Sequence, residues 1–285
     1  MTKAAPTVKG TVYSYAFGDT VFAVDAAKAG RIVTFSLGGK NILTAAKDAG
    51  DNNWGSTFWT SPQSDWNWPP PSEMDPDPYT AKLDDGKLVV SGRPIPALGL
   101  AVSKGFSVDA QAGAVSIEYG IANHGKEARR VAPWEISRVA AGGLTCFPMG
   151  DGNPSKGFQE LLPLQIEGGI AWFPYQAEDI VGDRKVFADG HEGWIAHVDG
   201  ELLLVKEFRD TPLAQAAPGE AEIEIYADAG HTYVEVENQG PYTHLAPGSN
   251  LRWTVRWFLR KLDPSVKAQV GSAALLGVVR ALVKG

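Results

Sequence analysis

The chain has 285 residues, 44% of them hydrophobic, which is room for one large domain or two ordinary ones and for a sizeable core. Its 33 acidic and 26 basic residues give a formal charge of -7, which argues against nucleic acid or an anionic membrane as the partner. A single cysteine, Cys146, excludes an internal disulfide, and no apolar run approaches the roughly 20 residues that a membrane helix needs.

The opening stretch MTKAAPTVKG lacks the apolar centre of a signal peptide, so the expectation is a cytoplasmic protein. A periplasmic or secreted location stays open if a signal has been removed, since a disulfide-free protein can live there too. Short alternating runs follow, rich in Val, Ile, Thr and aromatics and punctuated by Gly and Pro. They are TVYSYAF, TVFAVDA, RIVTFSL, KLVVSG, GLAVSKGFSV, AVSIEYGIAN, GWIAHV, ELLLVKEF, AEIEIYA, TYVEVENQ and LRWTVRWFL. That spacing predicts an all-β sandwich or barrel.

One segment breaks the rhythm. From about Asp51 to Pro78 the chain reads as a long, Pro-rich, aromatic loop, and a connection of that length is usually functional or disordered. Its aromatics argue against disorder, because they carry too much apolar area to stay solvated. Trp59 or Trp66 could stack on a sugar ring while Gln63, Asp65 and Asn67 bond its hydroxyls; alternatively the tryptophans plug the end of a sandwich. Glu73, Asp75 and Asp77 supply oxygen ligands but lack the glycine and spacing of a known calcium loop, and no metal site is expected.

In Tyr233-Val-Glu-Val-Glu-Asn-Gln239, side chains alternate across a strand, so Val234 and Val236 share one face and Tyr233, Glu235, Glu237 and Gln239 the other. The two glutamates stand roughly 6.5 to 7 Å apart by strand rise. Enclosure would raise a carboxyl pKa toward the range of a general acid or base. The competing reading is a solvated edge strand whose glutamates pair with Arg252 and Arg256 of the next strand. Beyond it, Asp263 as N-cap and Pro264 in the first turn predict a helix over 263–285, packed on a sandwich of residues 1–262. Nucleophile elbow, phosphate loop, HExxH and CxxC motifs are absent, and the five histidines are scattered.

The closing segment GPYTHLAPGSNLRWTVRWFLRKL, after the Glu-x-Gln strand end, resembles that of the galactose mutarotase (aldose 1-epimerase) family. The stretch Gly30 to Leu43 looks like that family's early strands. NNWGSTFWTSPQSDWNWPPP together with APWEISRVAAGG resembles most closely a bacterial branch of uncharacterised function, the DUF4380 type.

The resemblance implies a β-supersandwich with a C-terminal helix, a carbohydrate-sized cleft on one sheet face, no cofactor, and a monomer or homodimer. It implies Glu237 as catalytic base, followed by Gln239, with His244 in the next loop. Where an epimerase carries its acid histidine, this chain has Trp134 and Glu135, so Glu135 or His244 would protonate the ring oxygen. Trp134 and Arg138 of the same strand, with Asp183 and Lys185 of GDRKVF, complete the candidate substrate set. Arg184 and Lys185 beside a sugar would favour an acidic or phosphorylated one; the plain alternative for DRK is a charged turn. The implied function is a mutarotase- or epimerase-type enzyme, the alternatives being a non-catalytic sugar-binding or sensing domain and a polysaccharide lyase.

Overall fold

A computed structural model describes residues 4–50, 53–156 and 159–284; Asp51, where the aromatic loop was expected to begin, lies outside the described residues. Two large sheets, of twelve and ten strands, face each other. The alternation read from the sequence decides what lies between them. Along Asn250–Lys261, Trp253, Val255, Trp257 and Leu259 enter the inter-sheet core, while Phe258 points to the far side of the ten-stranded sheet. Phe58 and Tyr119 stack across the sandwich with ring centroids 4.2 Å apart, and Trp257 meets Phe22 edge-on. The fold is thus the expected all-β supersandwich.

The middle of the twelve-stranded sheet runs, neighbour by neighbour, through Arg31–Leu37, Ser56–Ser61, Arg129–Ala140, Tyr233–Gln239, Ile223–Ala227 and Arg184–Ala188. Gly30 leads the first of these with φ +60, and a Cβ there would stand 2.4 Å from Val90 Cγ2, so only glycine fits. Two sequence expectations change. The residues expected as one loop contain the strand Ser56–Ser61, buried at every position, because its Ser-Thr-Phe-Trp-Thr-Ser pattern is covered on both faces and shows no polar alternation. The C-terminal helix runs Ala273–Val283 and is capped by Ser272, not Asp263. Asp263 instead bonds the Ser265 amide and hydroxyl, closing a local turn that competes with helix. Leu275 and Val279 of that helix pack on Trp172, Trp194 and Phe258, covering the outer face of the ten-stranded sheet.

A charged pair sits in the core between the sheets. Lys206 Nζ lies 2.8 Å from Glu135 Oε1 and donates to the Val236 carbonyl at 2.8 Å, and both side chains are fully buried. The same carboxylate accepts from Tyr119 Oη at 2.5 Å and Trp257 Nε1 at 3.1 Å. Burial holds the Lys206 pKa below its ordinary value, against the pull of Glu135 upward. A carboxylate so deep is tolerable only with its cation and donors in place. Lys206→Met is therefore expected to cost about 3–5 kcal/mol of unfolding free energy by denaturant titration, the magnitude for orphaning one partner of a buried pair; a loss under about 1 kcal/mol would show that Glu135 finds relief elsewhere.

Candidate functional site

Directly opposed residues of antiparallel strands share a face. Tyr233–Gln239 is internal to its sheet, with Glu237 opposite Ile136 on one side and Glu224 on the other, and Glu235 opposite Arg138 and Tyr226. Lys185 in turn stands opposite Tyr226, and Trp134 opposite Trp59 and Gln239. The outer face of the sheet thus gathers acids, two cations and an aromatic wall, while Val234 and Val236 are in the core. The edge-strand alternative is overturned: Arg252 pairs with Glu118 and Arg256 with Glu207, both on the other sheet.

Charge is compensated pair by pair. Lys185 Nζ lies 2.7 Å from Glu224 Oε2 and 3.2 Å from Glu237 Oε1. Trp134 Nε1 donates to Glu237 Oε2 at 2.8 Å, and Gln239 Nε2 to Glu224 Oε1 at 2.6 Å. Arg138 Nε donates to Glu235 Oε1 at 2.8 Å while its Nη1 reaches Thr57 Oγ1 at 3.2 Å. Burial works against the Lys185 charge, but Glu224, Glu237 and Glu235 outweigh it and hold its pKa above the ordinary lysine value. Burial raises Glu224 well above the carboxylate range despite Lys185, with Glu237 and Glu220 adding repulsion. Glu235 is pushed up to about 6, chiefly by burial, with Arg138 opposing and Glu237 reinforcing.

Above this floor is a cleft of about 420 Å³, within the size range of small-molecule sites. Trp59, Trp68 and Trp134 line it together with Tyr226, Tyr233, Lys185 and Glu235, and Asn53, Gln63 and Gln159 add amides. Trp59 is held by neighbours on several sides: its Nε1 donates to Asp75 at 3.1 Å, and its ring meets Trp68 and Trp134 edge-on. Asp75 is itself paired with Arg31 at 2.8 Å, and Arg93 lies 2.6 Å from Asp77 and 3.7 Å from Glu73, so all three acids weighed for calcium are engaged by arginines.

Of the candidate site residues, Trp59, Gln63, Trp134 and Lys185 line the cleft, Arg138 and Glu237 lie directly beneath, and the rest are placed differently. Glu237 is sealed under Trp134 and Lys185, fully buried, and the carboxylate that opens to the cleft is Glu235. Glu135 faces the inter-sheet core: it is one residue from Trp134 and a strand flips sides at every residue, so it cannot serve this face. His244 is exposed on Thr243–Leu245, opposite Arg130, away from the cleft lining. Trp66 packs edge-on against Trp59 and donates to the Thr60 carbonyl at 2.9 Å, a structural role, and Asp65 is exposed. Gln239 reaches Glu224 rather than the cleft, and Asp183, on an exposed turn, accepts from the Ala229 amide at 3.0 Å and from the hydroxyl of the cleft-lining Tyr226. Sequence reasoning missed Trp68, Tyr226, Tyr233 and Glu224. AEIEIYA carries the same signal as YVEVENQ, with Glu222, Glu224 and Tyr226 at alternate positions.

Fold and site together define a β-supersandwich of the galactose mutarotase type, with an acid-rich, tryptophan-walled cleft on one sheet face. Solved structures that resemble it include a candidate aldose 1-epimerase from Escherichia coli K12, at 12% identity and TM-score 0.63 over 88% of this chain and 99% of that one. A galactose mutarotase-like protein from Lactobacillus casei ATCC 334 matches at 10% identity and TM-score 0.61, over 87% and 100%. A TPR-domain containing protein from Parabacteroides distasonis ATCC 8503 matches at 15% identity and TM-score 0.62, over 91% of this chain and 49% of that one. The chain itself belongs to the family described as domain of unknown function DUF4380, whose model matches residues 40–260. No curated protein matches it. No described helix is long and apolar enough to cross a membrane.

The Glu235 pKa has a consequence for stability. An unfolded glutamate titrates near 4.3, and the folded value is about 6, so the native state binds this proton more tightly. The stabilisation is complete below the unfolded pKa and is lost as pH rises through the folded one. The unfolding free energy of wild type minus that of Glu235→Gln is therefore expected to fall between about pH 4.5 and 6.5 and to level off above. His197, whose pKa burial lowers to about 4, opposes this in the same range but is common to both proteins and cancels. A difference that does not change with pH would contradict the assignment.

Proposed function

We propose that this protein binds a neutral sugar in the cleft and that Glu235 carries proton transfer at the sugar's anomeric centre. The observation that supports it is Glu235, the one carboxylate in the cleft lining among the described residues, with a pKa of about 6 and set among three tryptophans and two tyrosines. Aromatic faces suit the C–H faces of a pyranose, and the surrounding amides and hydroxyls suit its OH groups. Neutrality follows from the pairing: Lys185 is neutralised by Glu224 and Glu237, and Arg138 by Glu235, so no free cation awaits a phosphate or carboxylate. The expectation of an acidic or phosphorylated sugar rested on Arg184 and Lys185; Arg184 is not in the cleft lining, and Lys185 is engaged by carboxylates.

In the proposed reaction the Glu235 carboxylate takes the proton of the anomeric hydroxyl, and the bond from the anomeric carbon to the ring oxygen breaks. The oxygen that leaves gathers negative charge. Burial holds the Tyr233 pKa far above that of free tyrosine, and burial with a hydrogen bond to Asp183 does the same for Tyr226, so both stay protonated; Tyr233 is the donor assigned to that oxygen, much as buried acids kept neutral act elsewhere. Reclosure on the opposite carbonyl face, with return of the proton, gives the other anomer. Glu237 and Trp134 act beneath, by fixing Lys185 and the cleft floor.

The second reading, a binding domain without catalysis, is favoured by one observation: neither Glu135 nor His244, the two expected acids, reaches the cleft. Anomer exchange followed by NMR across a panel of aldoses decides between them. Catalysis predicts exchange above the buffer rate, falling about 10²–10⁴-fold in Glu235→Gln with binding retained, the usual worth of a general base. Equal background rates for both proteins, alongside measurable binding, would leave the binding domain. Glu237→Gln is expected to lower affinity and thermal stability together, because it releases Lys185 and Trp134.

A further inference from the structure

The cleft does not end at Lys185. The strand Arg184–Ala188 carries Lys185 and Phe187 on the same face, two residues apart. Beyond Lys185 lies a second chamber of about 290 Å³ lined by Phe187, Ser64, Asn67, Pro218, Gly219 and Glu220. Gln63, Trp68 and Lys185 line both chambers. Two loops frame the second one, and they are tied to each other: the Gln63 amide donates to Glu220 Oε1 at 2.8 Å. Gln63, whose backbone N–H makes that bond, thus stands with Lys185 and Trp68 between the chambers, and Trp68, 54% exposed, lies where the two spaces meet.

The lining of the second chamber repeats the chemistry of the first. Phe187, with Lys185 Nζ over its ring at 5.2 Å, and Pro218 contribute apolar surface, and Trp68 more at the junction, while Ser64, Asn67 and Gln63 contribute hydroxyl and amide partners. Among the described residues its one ionisable group of its own is Glu220, whose pKa burial raises, and the one cation in its lining, Lys185, already serves two carboxylates. An anionic substituent would meet a carboxyl there and find no unpaired cation. A second neutral ring meets only stacking faces and hydrogen-bond partners.

We infer that the ligand is a reducing disaccharide or longer neutral oligosaccharide, with the reducing-end ring beside Glu235 and the next ring stacked between Phe187 and Trp68. This rests on the sugar-binding reading above and adds the length of the ligand to it. Bond chemistry at the anomeric carbon is unchanged, because the glycosidic link leaves the reducing-end hydroxyl free.

Titration calorimetry with the whole chain tests the inference, using glucose and galactose, then maltose, cellobiose and lactose, and glucose 6-phosphate as the anionic competitor. At least one disaccharide is expected to bind ten or more times tighter than the free sugar that forms its reducing end. Ser64→Trp, filling the second chamber from one loop, is expected to erase that gain; Pro218→Trp, filling it from the other, keeps the comparison available if the first variant fails to fold. Monosaccharides binding as tightly as every disaccharide would overturn the second subsite while leaving the sugar reading intact, and tighter binding of glucose 6-phosphate would overturn its neutrality. No binding by any sugar would sink both.

Discussion

Three carboxylates on one sheet face, Glu224, Glu235 and Glu237, can be buried together only because Lys185 and Arg138 are buried with them. Lys185 spans Glu224 and Glu237, Arg138 holds Glu235, and all five side chains are at least nine-tenths buried or nearly so. Removing either cation would leave carboxylates facing each other in a low-dielectric floor, where repulsion and lost hydration add. The cluster is short of one positive charge, and the shortfall appears as raised proton affinity: burial lifts the Glu224 pKa well above the carboxylate range and that of Glu235 to about 6. The chemistry available to the cleft is a by-product of how that imbalance is resolved.

The same strand is held from behind by different means. Val234 and Val236 anchor it in the apolar core, and Lys206 ties the Val236 carbonyl to the Glu135 carboxylate of the neighbouring strand. The sandwich thus contains two ionic layers separated by one sheet, one sealed between the sheets and one opening on the cleft. Alternation keeps them apart, since adjacent residues of a strand cannot share a face. Trp134 and Glu135 show it most directly, one in the floor of the cleft and the other in the core.

The aromatic segment after Ser56–Ser61 supplies the walls. Trp59 belongs to the sheet, Trp68 to the turn above it, and Asp75 reaches back to fix the Trp59 indole while Arg31 fixes Asp75. A wall built from a strand on one side and its own following loop on the other moves little without disturbing the core. Such support is what a preorganised site requires.

From the sequence alone come the all-β class, most of the strand runs, the segment that supplies Trp59 and Gln63, and the two faces of YVEVENQ with the suspicion attached to its glutamates. These are local properties: periodicity of two, turn residues and the clustering of tryptophans are carried by neighbours in the chain. Which glutamate opens to the cleft is not local. Glu235 opens to the cleft and Glu237 does not because Lys185 and Trp134, 52 and 103 residues away in sequence, arrive over Glu237 from other strands. Strand order and register bring them there, and those are set by the packing of the whole sandwich.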